Sequence, residues 1–144
     1  MKEQEWHKAN ERWAYRLWLG DWDLRSIWTE DGAPDDSDKF HVAASAHTTP
    51  AYEMAAVTGH AQVLKDMTSK QGDKIACHEN VHVLLTDWNI FVGDLIGQLP
   101  KQAQALARSR QEELWENVVT RVTKVLTSTA IAWKNVDPRN GRKL

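Results

Sequence analysis

A ten-residue segment near the middle of the chain, ACHENVHVLL, contains two histidines four positions apart. In an α-helix these residues, His78 and His82, lie on one face about 40° apart, so both imidazoles can bind one metal ion. Glu79 is rotated by about 100° from His78, where it can take a proton from a water molecule that the metal activates. The spacing therefore predicts a zinc hydrolase centre with His78 and His82 as ligands and Glu79 as general base.

A catalytic zinc usually has three protein ligands and one open position, so the motif needs a third ligand elsewhere. No histidine follows His82, which excludes a third histidine downstream. The last predicted helix contains Glu112, Glu113 and Glu116. At about 100° per residue, Glu112 and Glu116 lie at the edge of the apolar stripe of that helix, whereas Glu113 points to solvent. The geometry leaves Glu112 and Glu116 as alternatives.

Four segments in order, LWLGDWDLRSIW, YEMAAVTG, CHENVHVLL and WENVVTRVTKVL, carry a family resemblance over roughly residues 13–127. The chain resembles small HExxH zincin-like proteins of phages and bacteria, which are similar to minimal gluzincin metallopeptidases. The resemblance implies a zinc ion held by two histidines on one helix and a glutamate on a later helix. In that family an apolar pair follows this glutamate, as in the segment ENVV, so Glu116 is favoured, with Glu112 as the alternative or as a supporting partner.

The elements that must position these residues follow from apolar periodicity. The pattern predicts a helix over 2–18, strands over 22–28, 39–47 and 52–64, an acidic loop over 29–38, a helix over 73–92 that carries the motif, a connector over 93–100 and a long helix over 101–133. This order predicts an α+β fold, with the helices on one face of a small sheet, like a minimal zincin. One domain over 1–136 and a polar tail over 137–144 are expected.

The predicted strand over 52–64 directly precedes the motif helix. In zincins this place is taken by the edge strand that binds extended peptides, so the resemblance implies that substrate adds to this strand. An ordinary interior strand is the alternative.

Composition narrows the class of protein. The formal net charge of −2 over 144 residues favours neither a nucleic-acid binder nor a membrane-surface protein. The single cysteine, Cys77, cannot form an internal disulfide, and the charged N-terminus lacks the apolar region of a signal peptide. We therefore expect a cytoplasmic protein, in the host cytoplasm if it is phage-encoded. The eight tryptophans are expected to complete a small core, although an aromatic ligand site is an alternative.

Several other side chains could take part in chemistry, but the sequence assigns none of them a catalytic role. Cys77 is turned about 100° away from His78 and is expected to be a small buried residue rather than a ligand. An oxyanion could be stabilised by one of four further side chains, none of which the sequence singles out: His41, His47, Tyr52 and His60.

The leading hypothesis is a zinc metallopeptidase that acts on peptides or proteins, with His78, His82 and Glu116 as zinc ligands and Glu79 as base. Its first rival is a zinc-binding scaffold or interaction module without hydrolytic turnover. Its second rival is a metal-free protein in which the motif is accidental. Another divalent metal would also suit histidine and carboxylate ligands.

Overall fold

The computed structural model describes residues 1–30 and 43–133, and these form five α-helices and three strands. In chain order the elements are α1 (Glu3–Arg16), β1 (Asp23–Thr29), β2 (Ala44–Thr49), β3 (Met54–His60), the one-turn helix α2 (Ala61–Leu64), α3 (Ser69–Leu84), α4 (Thr86–Gly97) and α5 (Lys101–Trp133). The predicted α+β class is confirmed, including the three-stranded sheet and the long C-terminal helix. Parts of the acidic loop and of the second predicted strand, and the tail over 137–144, lie outside the described residues.

Strand β3 is the centre of the sheet. β1 pairs with it in parallel and β2 pairs with it antiparallel, and a 3₁₀ turn at Pro50–Tyr52 joins β2 to β3. The predicted strand over 52–64 is therefore an interior strand, as the alternative expected, and not an edge strand. It is also shorter than predicted, because the chain turns into α2 at Ala61. The interior position suits β3, whose Ala55 and Val57 are buried against the helices. Among the described residues, β2 is an edge strand.

Helices α1 and α3 pack together and enclose the core against the sheet. The indoles of Trp6 and Trp13 on α1 are 0% and 2% exposed, and Trp6 Nε1 donates a hydrogen bond of 2.9 Å to the carbonyl oxygen of Ile27 in β1. Asn80 on α3 donates a hydrogen bond of 2.8 Å to Asn10 Oδ1 on α1. Both asparagines are fully buried, so this bond fixes α3 against α1 inside the core.

The predicted motif helix over 73–92 is two helices, α3 and α4. Helix α3 begins earlier than predicted, after Thr68, whose hydroxyl accepts a hydrogen bond from the backbone N–H of Gln71. It ends at Leu84, and the N–H of the following residue, Leu85, donates to carbonyl groups of the last turn. The predicted connector over 93–100 is also wrong in part, since α4 continues to Gly97.

Helix α5 packs against α3 and α4. Two of its side chains, Val119 and Thr123, are buried at 0% and 2% exposure and lie one helical turn apart. This contact fixes the rotation of α5 about its axis and hence the side chains that it presents to α3. Within the described residues, no helix combines the length and apolar character needed to cross a membrane.

Candidate metal centre

Helix α3 brings the two motif histidines together. Residues Ala76, Cys77 and Asn80 of this helix are buried in the core, which leaves His78 and His82 on the adjoining face toward α5. Their Nε2 atoms are 3.1 Å apart, and the two rings are in edge-to-face contact. The helical spacing in the sequence was therefore sufficient to place this pair.

Helix α5 adds Glu116 to the pair. Its Oε2 lies 3.6 Å from His78 Nε2 and its Oε1 lies 3.4 Å from His82 Nε2. Glu116 is on the same face of α5 as the buried Val119 and Thr123, so the packing that buries these two residues also directs the carboxylate toward α3.

The residue types of this cluster and the closeness of their donor atoms are compatible with a zinc ion. A tetrahedral site with zinc–ligand distances of about 2.0–2.2 Å separates its ligand atoms by roughly 3.3–3.6 Å. The Nε2 atoms of His78 and His82 are 3.1 Å apart, and each faces a different oxygen of Glu116, at 3.6 Å for His78 and 3.4 Å for His82. Two imidazole nitrogens and one carboxylate oxygen are also ligands that zinc accepts, and they leave one position open.

The other two glutamates of the predicted site do not join this cluster. In the described part of the chain, the three-residue group with metal-ligand spacing is His78, His82 and Glu116. Glu112 is exposed and is not a member of the group. Glu113 instead accepts a hydrogen bond of 2.7 Å from Arg110 on the solvent side of α5.

Burial favours the neutral form of both histidines. Desolvation lowers the pKa of His78 and of His82 below the ordinary value, and this effect outweighs the nearby Glu116 carboxylate, which acts in the opposite direction. The close contacts with Glu116 are therefore not ion pairs near neutral pH. Neutral imidazole is the form that binds a metal ion.

Glu79 lies beside the cluster and is nearly enclosed. The residue is 8% exposed and lies near the backbone of Ala46 in β2. Burial, and secondarily the charge of Glu116, raise the pKa of Glu79 to about 7. A carboxyl group with this pKa exchanges a proton readily near neutral pH, which suits a general base.

Trp115 is part of the centre and was not predicted from the sequence. Its indole Nε1 donates a hydrogen bond of 3.0 Å to Nδ1 of His82. The helical pattern placed Trp115 in the apolar stripe of the last helix, and nothing in that pattern distinguishes a packing tryptophan from one that donates to a histidine.

The remaining candidate side chains are not part of the cluster. Cys77 is fully buried, and burial raises the pKa of its thiol to about 12, in agreement with the predicted structural role. His47 and Tyr52 are exposed, whereas His60 is buried at the end of β3. His41 lies outside the described residues.

Comparison with known proteins returned no matching family model, no similar curated protein and no similar solved structure. The resemblance to zincin-like proteins thus stays a prediction from the sequence motifs.

Proposed function

We propose that this protein is a zinc-dependent peptidase. The observation that supports this proposal most directly is the convergence of three ligand atoms, from His78, His82 and Glu116, beside the buried carboxyl group of Glu79. Two helices that are distant in sequence supply these groups, and each group has the chemistry that the reaction needs.

Each residue of the cluster has a separate role in the proposed reaction. Nε2 of each histidine and the carboxylate of Glu116 would hold the ion. Zinc, when bound, supplies a water molecule that ionises near neutral pH. Glu79 accepts the proton of the attacking water and, once protonated, returns it to the nitrogen of the leaving group.

The position of β2 supports a peptide as the substrate. In the part of the chain that the structure describes, β2 pairs only with β3, so its other edge has backbone groups that an extended peptide can pair with. The carboxyl group of Glu79 lies near the backbone of Ala46 in this strand, so the strand and the proposed base are adjacent. A peptide on β2 would therefore lie next to the group that activates water.

A zinc scaffold without turnover is the alternative function. It is favoured by one observation, namely that the three ligands connect α3 and α5 and so would fasten two packed helices. Structural zinc sites are almost always closed by four protein ligands, whereas the cluster offers three. The open fourth position and the adjacent Glu79 favour the enzyme.

Metal content tests the centre itself. Protein purified without added zinc should contain about one zinc ion per chain, because the donor set makes one three-ligand site. His78→Ala should lose most of this metal. Equal metal content in the parent and in His78→Ala would overturn the proposed centre.

Replacement of Glu79 separates the enzyme from the scaffold. Glu79→Gln keeps the size of the side chain but removes the base, so we expect zinc to be retained and peptide hydrolysis to fall by about 100-fold or more. Activity is measured on a broad peptide library. Undiminished activity in Glu79→Gln would exclude Glu79 as base, and inactivity of the zinc-loaded parent across the library would favour the scaffold.

A further inference from the structure

The hydrogen bond between Trp115 and His82 determines where the proton of that imidazole lies. An indole N–H can only donate, so Nδ1 of His82 must be a bare acceptor at the observed distance of 3.0 Å. The ring proton of His82 is then on Nε2. This nitrogen lies 3.1 Å from Nε2 of His78 and 3.4 Å from Oε1 of Glu116, so the N–H occupies the space between the candidate ligands.

A bound metal ion requires the opposite arrangement of the imidazole proton. Nε2 must be bare to coordinate, and a neutral ring then has its proton on Nδ1, where it usually donates to an oxygen acceptor. If the indole of Trp115 stayed in place, two N–H groups would face each other at 3.0 Å. The observed hydrogen bond and zinc coordination by neutral His82 therefore exclude each other.

The surroundings of Trp115 leave its indole room to turn. The side chain is only partly buried and forms one wall of a cleft of about 180 Å³ between α4 and α5. Trp88 and Val118 form apolar walls of the same cleft. An apolar cavity of roughly 150 Å³ holds a benzene ring, so the cleft offers space into which the indole can shift.

We propose that Trp115 is a positioning residue that opposes metal binding, because it holds His82 in the wrong tautomer until its indole turns away into the cleft. This inference rests on the proposed function, since it concerns the same three ligands. The inference implies that the metal-free and metal-bound states of the centre differ in the conformation of the Trp115 side chain.

The test is the zinc affinity of Trp115→Phe, measured by competition with a chelator. Phenylalanine keeps an aromatic ring in the cleft but has no donor, so zinc no longer has to break a hydrogen bond. We expect zinc to bind about two- to tenfold more tightly than to the parent, as the loss of one hydrogen bond implies. The matched control is Trp88→Phe, which changes the same cleft but no hydrogen bond to His82, and should leave the affinity unchanged.

A purely structural role for Trp115 predicts the opposite result. If the indole supported His82 as a ligand, Trp115→Phe would bind zinc more weakly, and this outcome or an unchanged affinity would overturn the inference while leaving the zinc centre intact. If neither the parent nor the two variants binds zinc, the inference and the proposed function both fail.

A measurement on the parent protein avoids any effect of the substitution on folding. In ¹⁵N NMR spectra the ring nitrogens of His82 should show the Nε2–H tautomer without metal and the Nδ1–H tautomer after zinc is added. The indole N–H resonance of Trp115, assigned by its absence in Trp115→Phe, should shift at the same zinc concentration. An Nδ1–H tautomer in the metal-free protein, or an unmoved indole resonance, would contradict the inference.

Discussion

At the scale of single residues, the position of Glu79 suits its proposed role as base but makes its ionised form unfavourable in the folded protein. Glu79 must be close enough to the cluster to act on water, and this place removes its carboxyl group almost completely from solvent. Burial raises its pKa to about 7, so the folded protein holds this proton more tightly than the unfolded chain does. The proposed base is thus a group that weakens the fold when it is ionised.

This conflict predicts a pH dependence of stability in the metal-free protein. Because the folded-state pKa of Glu79 is above its ordinary value of 4.5, the contribution of this group to the free energy of unfolding falls as pH rises from about 4.5 to 7. The fall amounts to roughly 3 kcal/mol. The glutamine of Glu79→Gln does not titrate. The free energy of unfolding of this variant, relative to that of the parent, should therefore be lowest near pH 4.5 and highest above pH 7. Urea unfolding of both proteins in the presence of a chelator measures this difference.

The two histidines contribute equally to the pH dependence of stability in the parent and in Glu79→Gln. Since burial lowers the pKa values of His78 and His82, these residues make stability rise with pH, and comparison of the two proteins removes this effect to first order. A stability difference that does not vary with pH would contradict the raised pKa of Glu79.

The third ligand gives a second prediction at this scale. Glu116→Ala should weaken zinc binding more than Glu112→Ala does, because the carboxylate of Glu116, unlike that of Glu112, lies within 3.6 Å of a histidine Nε2 in the cluster. Loss of a supporting group costs about 10–100-fold in affinity, and loss of a ligand should cost more. Glu113→Ala, on the solvent side of α5, is the matched control. Chelator competition ranks the three variants, and equal affinities would remove α5 from the proposed centre.

At the scale of elements, the prediction from sequence succeeded where local periodicity decides the structure. The spacing of His78 and His82 is a property of a single helix, and the structure places the two histidines together. For α5, periodicity left Glu112 and Glu116 as alternatives and the family resemblance favoured Glu116, which lies beside the histidines. The earlier start of α3 also had a local signal, since Thr68 and Gln71 form a capping box. The break at Leu85 had none, because no glycine or proline marks it.

The position of β3 depends on contacts between distant parts of the chain, which periodicity does not contain. The central strand passes directly beneath α1, and the clearest sign of this is Gly59. A β-carbon at this position would lie 2.7 Å from the Trp6 ring and 2.7 Å from Leu64, both of which are fully buried. Only glycine allows the helix to approach the strand this closely.

Gly59→Ala should therefore destabilise the protein by about 1–3 kcal/mol, the usual cost of overpacking a core. Gly20→Ala is the control, because a β-carbon there has no neighbour within 4 Å, and its effect should stay within about 0.5 kcal/mol. Urea midpoints of the two variants test the packing of β3 against α1. Equal stability of both variants would mean that α1 does not lie against Gly59 as described.

At the scale of the whole molecule, the tryptophans do not form one core. Trp6 and Trp13 are buried as expected, whereas Trp18 and Trp88 are 90% and 62% exposed. Trp115 lies between these extremes and donates a hydrogen bond to His82 of the candidate metal centre. The expectation that tryptophan completes the core holds for α1 and not for α4, because the helices α4 and α5 form a cleft instead of a closed interior.

The connection between α3 and α5 predicts how the metal acts on the entire fold. The candidate ligands His78, His82 and Glu116 come from helices far apart in the chain, so the unfolded protein lacks a comparable site. Zinc that binds the native state alone should raise the free energy of unfolding by about 2.7 kcal/mol at 100 times its dissociation constant. Thermal unfolding with zinc and with chelator measures this effect as a higher melting temperature in zinc.

Two variants distinguish specific binding from a general effect of zinc on the chain. Glu79→Gln retains all three ligands and should show the full increase in melting temperature. Glu116→Ala lacks the ligand from α5, so zinc can no longer join α5 to α3, and most of the increase should disappear. If zinc raised the melting temperature of Glu116→Ala as much as that of the parent, the stabilising site would be elsewhere, and the two helices would be held together by the packing of Val119 and Thr123 without help from a metal.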